Sequence, residues 1–169
     1  MPCEYNSNEP GEKDKETHCQ FTEITDEECV SFDGKYWCPF HLPINGQKNW
    51  DSEYLDRVKQ EIISRILNSK AGETVNLSGV KIRGPFLLKK GGANVLSRNH
   101  VPGNIDLTNA DFSGKISFET TSFDGEFRIT NTKFHQHSNF AMVDFRQFTD
   151  FSCLVFEKGV NFTDSVFRQ

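Results

Sequence analysis

The sequence predicts a mainly β protein, a solenoid of short strands, and three observations predict it. Leu107, Phe118, Ile129, Phe140, Phe151 and Phe162 recur every eleven residues without a break. Phe112, Phe123, Phe134, Phe145, Phe156 and Phe167 form a second eleven-residue series, interleaved with the first in steps of five and six. The segment that carries both series holds Gly103, Gly114, Gly125 and Gly159 among many Thr, Ser and Asn, all poor helix formers. That composition excludes the right-handed coiled coil, which also has an eleven-residue apolar period. An antiparallel barrel is excluded as well, because its strands keep period-two parity, whereas alternating steps of five and six break it. Each short strand must turn a corner before the next inward side chain. A fixed repeat of this kind decides the fold before local structure is read.

The chain divides into three parts. Residues 1–48 read as a small Cys/His module, residues 49–72 as a helix and linker, and residues 73–169 as the repeat. In the first part, Glu9-Pro10-Gly11-Glu12 opens an exposed loop. Phe21-Thr22-Glu23-Ile24 alternates like a short strand, and Asp33-Gly34 is a favourable hairpin turn.

The helix is predicted over residues 51–69. Asp51 or Ser52 can cap it by accepting a first-turn amide hydrogen bond, and Glu53 and Asp56 sit at the positive end of its dipole. Leu55, Val58, Ile62, Ile63 and Ile66 recur at three- and four-residue spacing and make one apolar face. Lys70-Ala71-Gly72 ends it. A solenoid exposes unpaired backbone and apolar side chains at its ends, and this helix is placed to cover the N-terminal one. The chain reaches Phe167 in mid-pattern, so either the sequence is a piece of a longer protein or a second copy covers that end.

The repeat starts with Leu77, Ile82 and Leu87 at five-residue spacing. A loop inserted at about 89–103, marked by Gly91-Gly92 and Pro102-Gly103, interrupts it, and the register resumes at Asn104. Ala110-Asp111-Phe112-Ser113-Gly114 is a small residue, a polar one, a central Phe and two polar ones. Asp106-Leu107-Thr108-Asn109 and Asn76-Leu77-Ser78-Gly79 carry the same pattern. In these residues the chain resembles the pentapeptide-repeat family, over residues 74–169. Later units depart from the motif: Thr121, Thr132, Val143, Leu154 and Ser165 take the small position, and alternate units gain a residue. The resemblance implies a right-handed quadrilateral β-helix with one unit per face. Two steps of five and two of six then make a coil of 22 residues. Phe127 and Phe148 fall outside both series and are expected to fill corners or face out.

Four of the five cysteines precede residue 40, and no basic-then-apolar leader opens the chain. Without a secretory signal, such cysteines point to a metal before disulfides. Cys19, Cys29, Cys38 and His41 form a candidate tetrahedral Zn²⁺ site, because thiolates and imidazole suit that ion and Cys38-x2-His41 supplies two ligands from one turn. Cys3 is an alternative fourth ligand, and His18 is a further candidate. Cys38-Pro39-Phe40-His41-Leu42-Pro43 resembles the segment that precedes the repeats in some bacterial pentapeptide-repeat proteins, which implies a structural zinc. So polar a segment has little core of its own, so the metal would be its main source of order.

No phosphate loop, nucleophile elbow, dinucleotide fingerprint or H-E-x-x-H is present, so no catalytic residue is assigned and a non-enzymatic role is expected. His135 and His137 are spaced to share one strand face, Cys153 reads as a packed thiol, and Asp106, Asp111, Asp124, Asp144 and Asp150 read as a solvated outer face. No apolar run reaches the roughly 18 residues of a membrane helix, and a cytoplasmic location is expected. The expected function is a scaffold for a protein partner, with a homodimer through the C-terminal coil as one form and no small-molecule substrate. Some pentapeptide-repeat proteins mimic DNA toward type II topoisomerases, which is the alternative. Charge argues against it: the net −5 divides into −7 over residues 1–73 and +2 over residues 74–169. Nucleic-acid binding by the acidic N-terminal part is disfavoured, since phosphate contacts need Lys and Arg.

Overall fold

The computed structural model describes Phe21, residues 28–88 and residues 98–168. Strands β1 (Val30–Phe32) and β2 (Lys35–Trp37) form an antiparallel hairpin around Asp33-Gly34, both at positive φ, as a tight two-residue turn requires. A 3-10 turn, Gly46–Asn49, leads to helix α1 (Ser52–Leu67). The Asp51 carboxylate accepts the Tyr54 amide at 2.7 Å, so Asp51 is the cap. Ile62, Ile63 and Ile66 are buried, which bears out the apolar face of the helix. The expected strand at Phe21-Ile24 lies outside the described residues after Phe21.

The rest is a parallel β-solenoid. Its first level holds β3 (Thr74–Asn76), β4 (Lys81–Ile82), β5 (Phe86–Leu87) and β6 (Asn99–Val101). The second holds β7 (Asn104–Asp106), β8 (Asp111–Phe112), β9 (Ile116–Ser117) and β10 (Thr121–Phe123). The third holds β11 (Phe127–Arg128), β12 (Lys133–Phe134), β13 (Ser138–Asn139) and β14 (Asp144–Phe145). The fourth holds β15 (Thr149–Asp150), β16 (Val155–Phe156), β17 (Val160–Asn161) and β18 (Val166–Phe167). Every fourth strand pairs, giving four parallel sheets of four strands: β3-β7-β11-β15, β4-β8-β12-β16, β5-β9-β13-β17 and β6-β10-β14-β18. Phe112 pairs Phe134 and Phe134 pairs Phe156, so a level is 22 residues long. Thr74 pairs Asn104, a step of 30, so the first level is eight residues longer. The surplus lies between β5 and β6, and the register is already in place at Asn99. Residues 89–97 lie outside the described residues.

Rings of one series stack from level to level. Phe134 lies 5.3 Å from Phe112 and 4.8 Å from Phe156, with planes 7° and 8° apart. Phe118, Phe140 and Phe162 stack likewise, as do Phe123, Phe145 and Phe167. Neighbouring columns meet edge to face, as Phe134 and Phe140 do at 88°. These are the geometries that ring quadrupoles favour.

Each sheet has a second inward column two residues earlier. Phe127 belongs there, fully buried beside Phe123 at 4.5 Å, whereas Phe148 faces out under the Arg128 guanidinium. Thr132 and Ser165 fill the same kind of place and stay satisfied, donating to the Leu107 and Phe140 carbonyls. One expected position is corrected. Leu87 is 44 % exposed, and Phe86 and Leu88 are the inward pair. The step after Ile82 is six, like that from Phe112 to Phe118, so five-residue spacing fails there.

The two step lengths are two kinds of corner. At the five-residue corners the residue two after each inward side chain has positive φ: Gly79, Asn109, Asn131 and Cys153 on one edge, Thr120, Met142 and Asp164 on the other. This left-handed residue turns the chain within one fewer position, a conformation that only Gly and Asn adopt readily. At the six-residue corners of the second level the extra residue turns the chain and the corresponding Gly114 and Gly125 have ordinary φ, whereas Gly84, at the first level's six-residue corner, has φ +80°.

Asp144 departs from the solvated outer face expected for it. Its side chain is 4 % exposed and receives Arg168 at 2.7 Å, Arg146 at 3.1 Å and Arg98 at 3.6 Å. Hydrogen bonding from Arg168, joined by Arg146, holds its carboxyl below the usual carboxylate range, against the opposing push of burial. A depressed folded value means the stabilisation is complete above the unfolded value, about 3.9, and is lost as pH falls through the lower folded one. The Asp144→Asn variant is expected to be less stable than wild type at pH 7, with the gap closing as pH drops below about 4. Urea midpoints measured across pH check this.

Candidate functional site

The Cys/His segment forms the floor of the solenoid. In the second sheet, Asp111 donates its amide to the Val80 carbonyl and Lys133 donates to that of Ala110. One level lower, Lys81 donates in the same way to the Phe40 carbonyl at 2.7 Å. Phe40 therefore continues the ladder beneath Val80. The Lys81 carbonyl is covered too, by the Gln47 side-chain amide at 3.0 Å, which also donates to the Leu42 carbonyl at 2.7 Å. The Arg83 guanidinium donates to the Gln47 carbonyl. Together with α1, this segment satisfies a strand edge that the sequence leaves to the helix alone.

Cys38 and His41 lie within this floor, both wholly buried. The turn that brings them together hangs on the Cys38 carbonyl, which accepts the amides of His41 and Leu42 at 3.1 and 3.0 Å. Cys38 Sγ lies 3.3 Å from His41 Nδ1. His41 Nε2 lies 3.1 Å from the Ser78 carbonyl oxygen, which only accepts, so Nε2 carries the proton and donates. The ring is thereby oriented with Nδ1 toward the sulfur. Phe21 stacks on Phe40 at 4.0 Å and lies 5.4 Å from the His41 ring, and the Arg65 guanidinium stands over Phe21 at 5.1 Å.

Of the expected metal ligands, the structure brings Cys38 and His41 together. Cys29 is half-buried, and no three His, Cys, Asp or Glu side chains converge on a common point among the described residues. Burial pushes the Tyr54 phenol up, and the Glu28 carboxylate adds to the shift against the opposing Arg57 charge. Cys19, Cys3 and His18 lie outside the described residues. Ser78 and Gln47 carry no sequence signal, because backbone pairing alone places them here. Phe21, a lone aromatic in a polar stretch, is the one readable hint.

The other candidates separate. His135 lies between Asp111 at 2.9 Å and Glu157 at 3.0 Å on the second sheet, while His137 stands past the next corner beside Gly159. The two histidines do not share a face. Cys153 is exposed at a corner. No helix among the described residues is long and apolar enough to cross a membrane. No family model, curated protein or solved structure matches the chain.

Proposed function

We propose that the protein is a non-enzymatic scaffold of the pentapeptide-repeat kind, whose floor is held by a structural Zn²⁺ at Cys38 and His41 and whose outer faces receive a protein partner. The observation that carries the reading is the His41 ring. A metal-binding imidazole characteristically donates its other nitrogen to a carbonyl or carboxylate, which sets the tautomer. His41 does so toward Ser78, with its other nitrogen on the Cys38 sulfur. Cys19 and Cys29 are the proposed partners, with Cys3 as the alternative. Cys19 is two residues from Phe21, whose ring lies against His41. The ion would supply charge neutralisation for buried thiolates and crosslink the floor.

The described outer faces support a scaffold more than a DNA mimic. Lys81, Lys133, Arg128, Arg146 and Arg168 are interspersed with carboxylates, so no continuous acidic surface runs along the rod. The last described level offers an apolar hollow lined by Phe151, Leu154, Phe156, Phe162 and Phe167, the last 52 % exposed, for a protein partner or a second copy.

Zinc removal is the test. Purified protein is expected to carry equimolar zinc, and chelation is expected to lower its stability by about 4 kcal/mol relative to protein in free zinc at a thousand times Kd. Calorimetry with and without chelator reads this, and the Cys38→Ser variant is expected to match the chelated protein. Metal-free protein with unchanged fold and melting temperature would sink the zinc reading.

A further inference from the structure

We infer that Ser78 is a positioning residue for the metal: with the ion bound, its hydroxyl donates a hydrogen bond to a metal-held thiolate while its carbonyl holds His41. The inference rests on the zinc site proposed above and adds a residue to it that has no metal-binding chemistry of its own.

Among the described residues, Ser78 Oγ is the single buried side-chain nitrogen or oxygen without a hydrogen-bond partner. The residue is only 6 % exposed, so water does not supply one from bulk. Folded proteins pair nearly all such groups, and an orphan calls for a cause. The rest of Ser78 is satisfied: its amide donates to Asn76 Oδ1 at 3.0 Å and its carbonyl accepts from His41. The same place one and two levels higher holds Thr108 and Thr130, whose hydroxyls bond each other at 3.1 Å. Ser78 is the foot of that hydroxyl column, and what lies below it is the Cys/His floor. Phe40 stands beneath Val80 in the ladder, and Cys38 and Ser78 each come two residues earlier. The one orphaned hydroxyl is thus on the residue that orients the candidate ligand.

In the metal-free protein the Cys38 thiol is engaged by His41. With Nε2–H given to the Ser78 carbonyl, Nδ1 has a lone pair and the Cys38 thiol is its donor. Among the described residues of the metal-free protein no nitrogen, oxygen or sulfur stands in hydrogen-bond geometry of the Ser78 hydroxyl, so the bond forms only once the ion draws a thiolate to it. Metal uptake sends the thiol proton to solvent, and Nδ1 and the sulfur both turn to the ion. The sulfur is then an anionic acceptor, and a hydroxyl donor tempers its charge and fixes its direction.

Competition of the full-length protein with a chelator for Co²⁺, followed by absorption, tests this. The Ser78→Ala variant is expected to bind Co²⁺ roughly 10–100-fold more weakly. Its sulfur-to-cobalt charge-transfer band should move to longer wavelength, because the thiolate has lost a hydrogen bond. Its metal-free melting should stay at or above the wild-type value, since the variant removes an orphan. The Ser78→Thr variant, which keeps the hydroxyl found higher in the column, is expected to restore affinity and band. An Ala variant with wild-type Co²⁺ affinity and an unmoved band would overturn the inference. So would a loss of stability that is equal with and without metal, which marks a packing role. Wild-type protein that takes up no Co²⁺ overturns the zinc reading itself, and the inference with it.

Discussion

Replacing Phe134 by Ala is expected to cost about 3–5 kcal/mol of stability. Phe134 is wholly buried in the third level. Its ring is stacked on Phe112 below and Phe156 above and met edge-on by Phe140. Truncation removes a full ring of buried surface and leaves a cavity between two levels that cannot close, because the strand ladders hold the levels at about 4.8 Å. The Phe167→Ala variant is the internal comparison. With 52 % of that residue already exposed, its loss is expected to stay under about 1.5 kcal/mol. Denaturant titration of both variants checks the difference. Amide exchange adds a spatial readout: levels of a solenoid are stabilised chiefly by their neighbours, so protection in Phe134→Ala should fall most in the third and fourth levels. Equal losses for the two variants would contradict the stacked-column account.

The Gly114→Ala variant is expected to cost about 3 kcal/mol, at the upper end of ordinary overpacking. The added methyl would lie 2.2 Å from the Gly84 carbonyl carbon and oxygen and 2.6 Å from the Pro85 nitrogen. All three are backbone atoms of the level beneath, so the clash is relieved only by prising two levels apart. Conformational freedom is not the reason for this glycine, since its φ is ordinary. Space is the reason. The Gly159→Ala variant separates the two, because its methyl would meet only the His137 ring at 3.1 Å, and that side chain can turn aside. Its expected effect is under about 1 kcal/mol. Thermal melting of the pair is a direct check.

Much of this architecture is legible in the chain. Two interleaved eleven-residue series predict the inward columns, the parity break predicts corners, and their sum predicts the 22-residue level that the pairing of Phe112 with Phe134 shows. The helix and the Asp33-Gly34 hairpin are local events with local signals, and both are present. The second inward column was harder to read, because its occupants are chemically mixed: Phe127, Thr132, Ser138 and Val143 share nothing but position. Leu87 misleads for a related reason. Phe86, Leu87 and Leu88 are all apolar, so only the step length at that corner tells which two turn inward.

The site divides in the same way. The Cys38-x2-His41 pair is legible because a short spacing and a turn suffice to bring the two side chains to 3.3 Å. Asp144 looked like any surface carboxylate, because its three arginines come from residues 98, 146 and 168 and meet only when the levels stack.

The sequence by itself determined the period, the inward ladder, the capping helix and the close Cys/His pair, since each depends on spacing along one chain. Only the tertiary structure decided that Phe40 extends the second sheet, that Ser78 orients His41 and that Gly114 has no room for a methyl. These contacts join residues tens of positions apart through backbone pairing, and backbone groups are the same in every residue, so no side-chain pattern announces them.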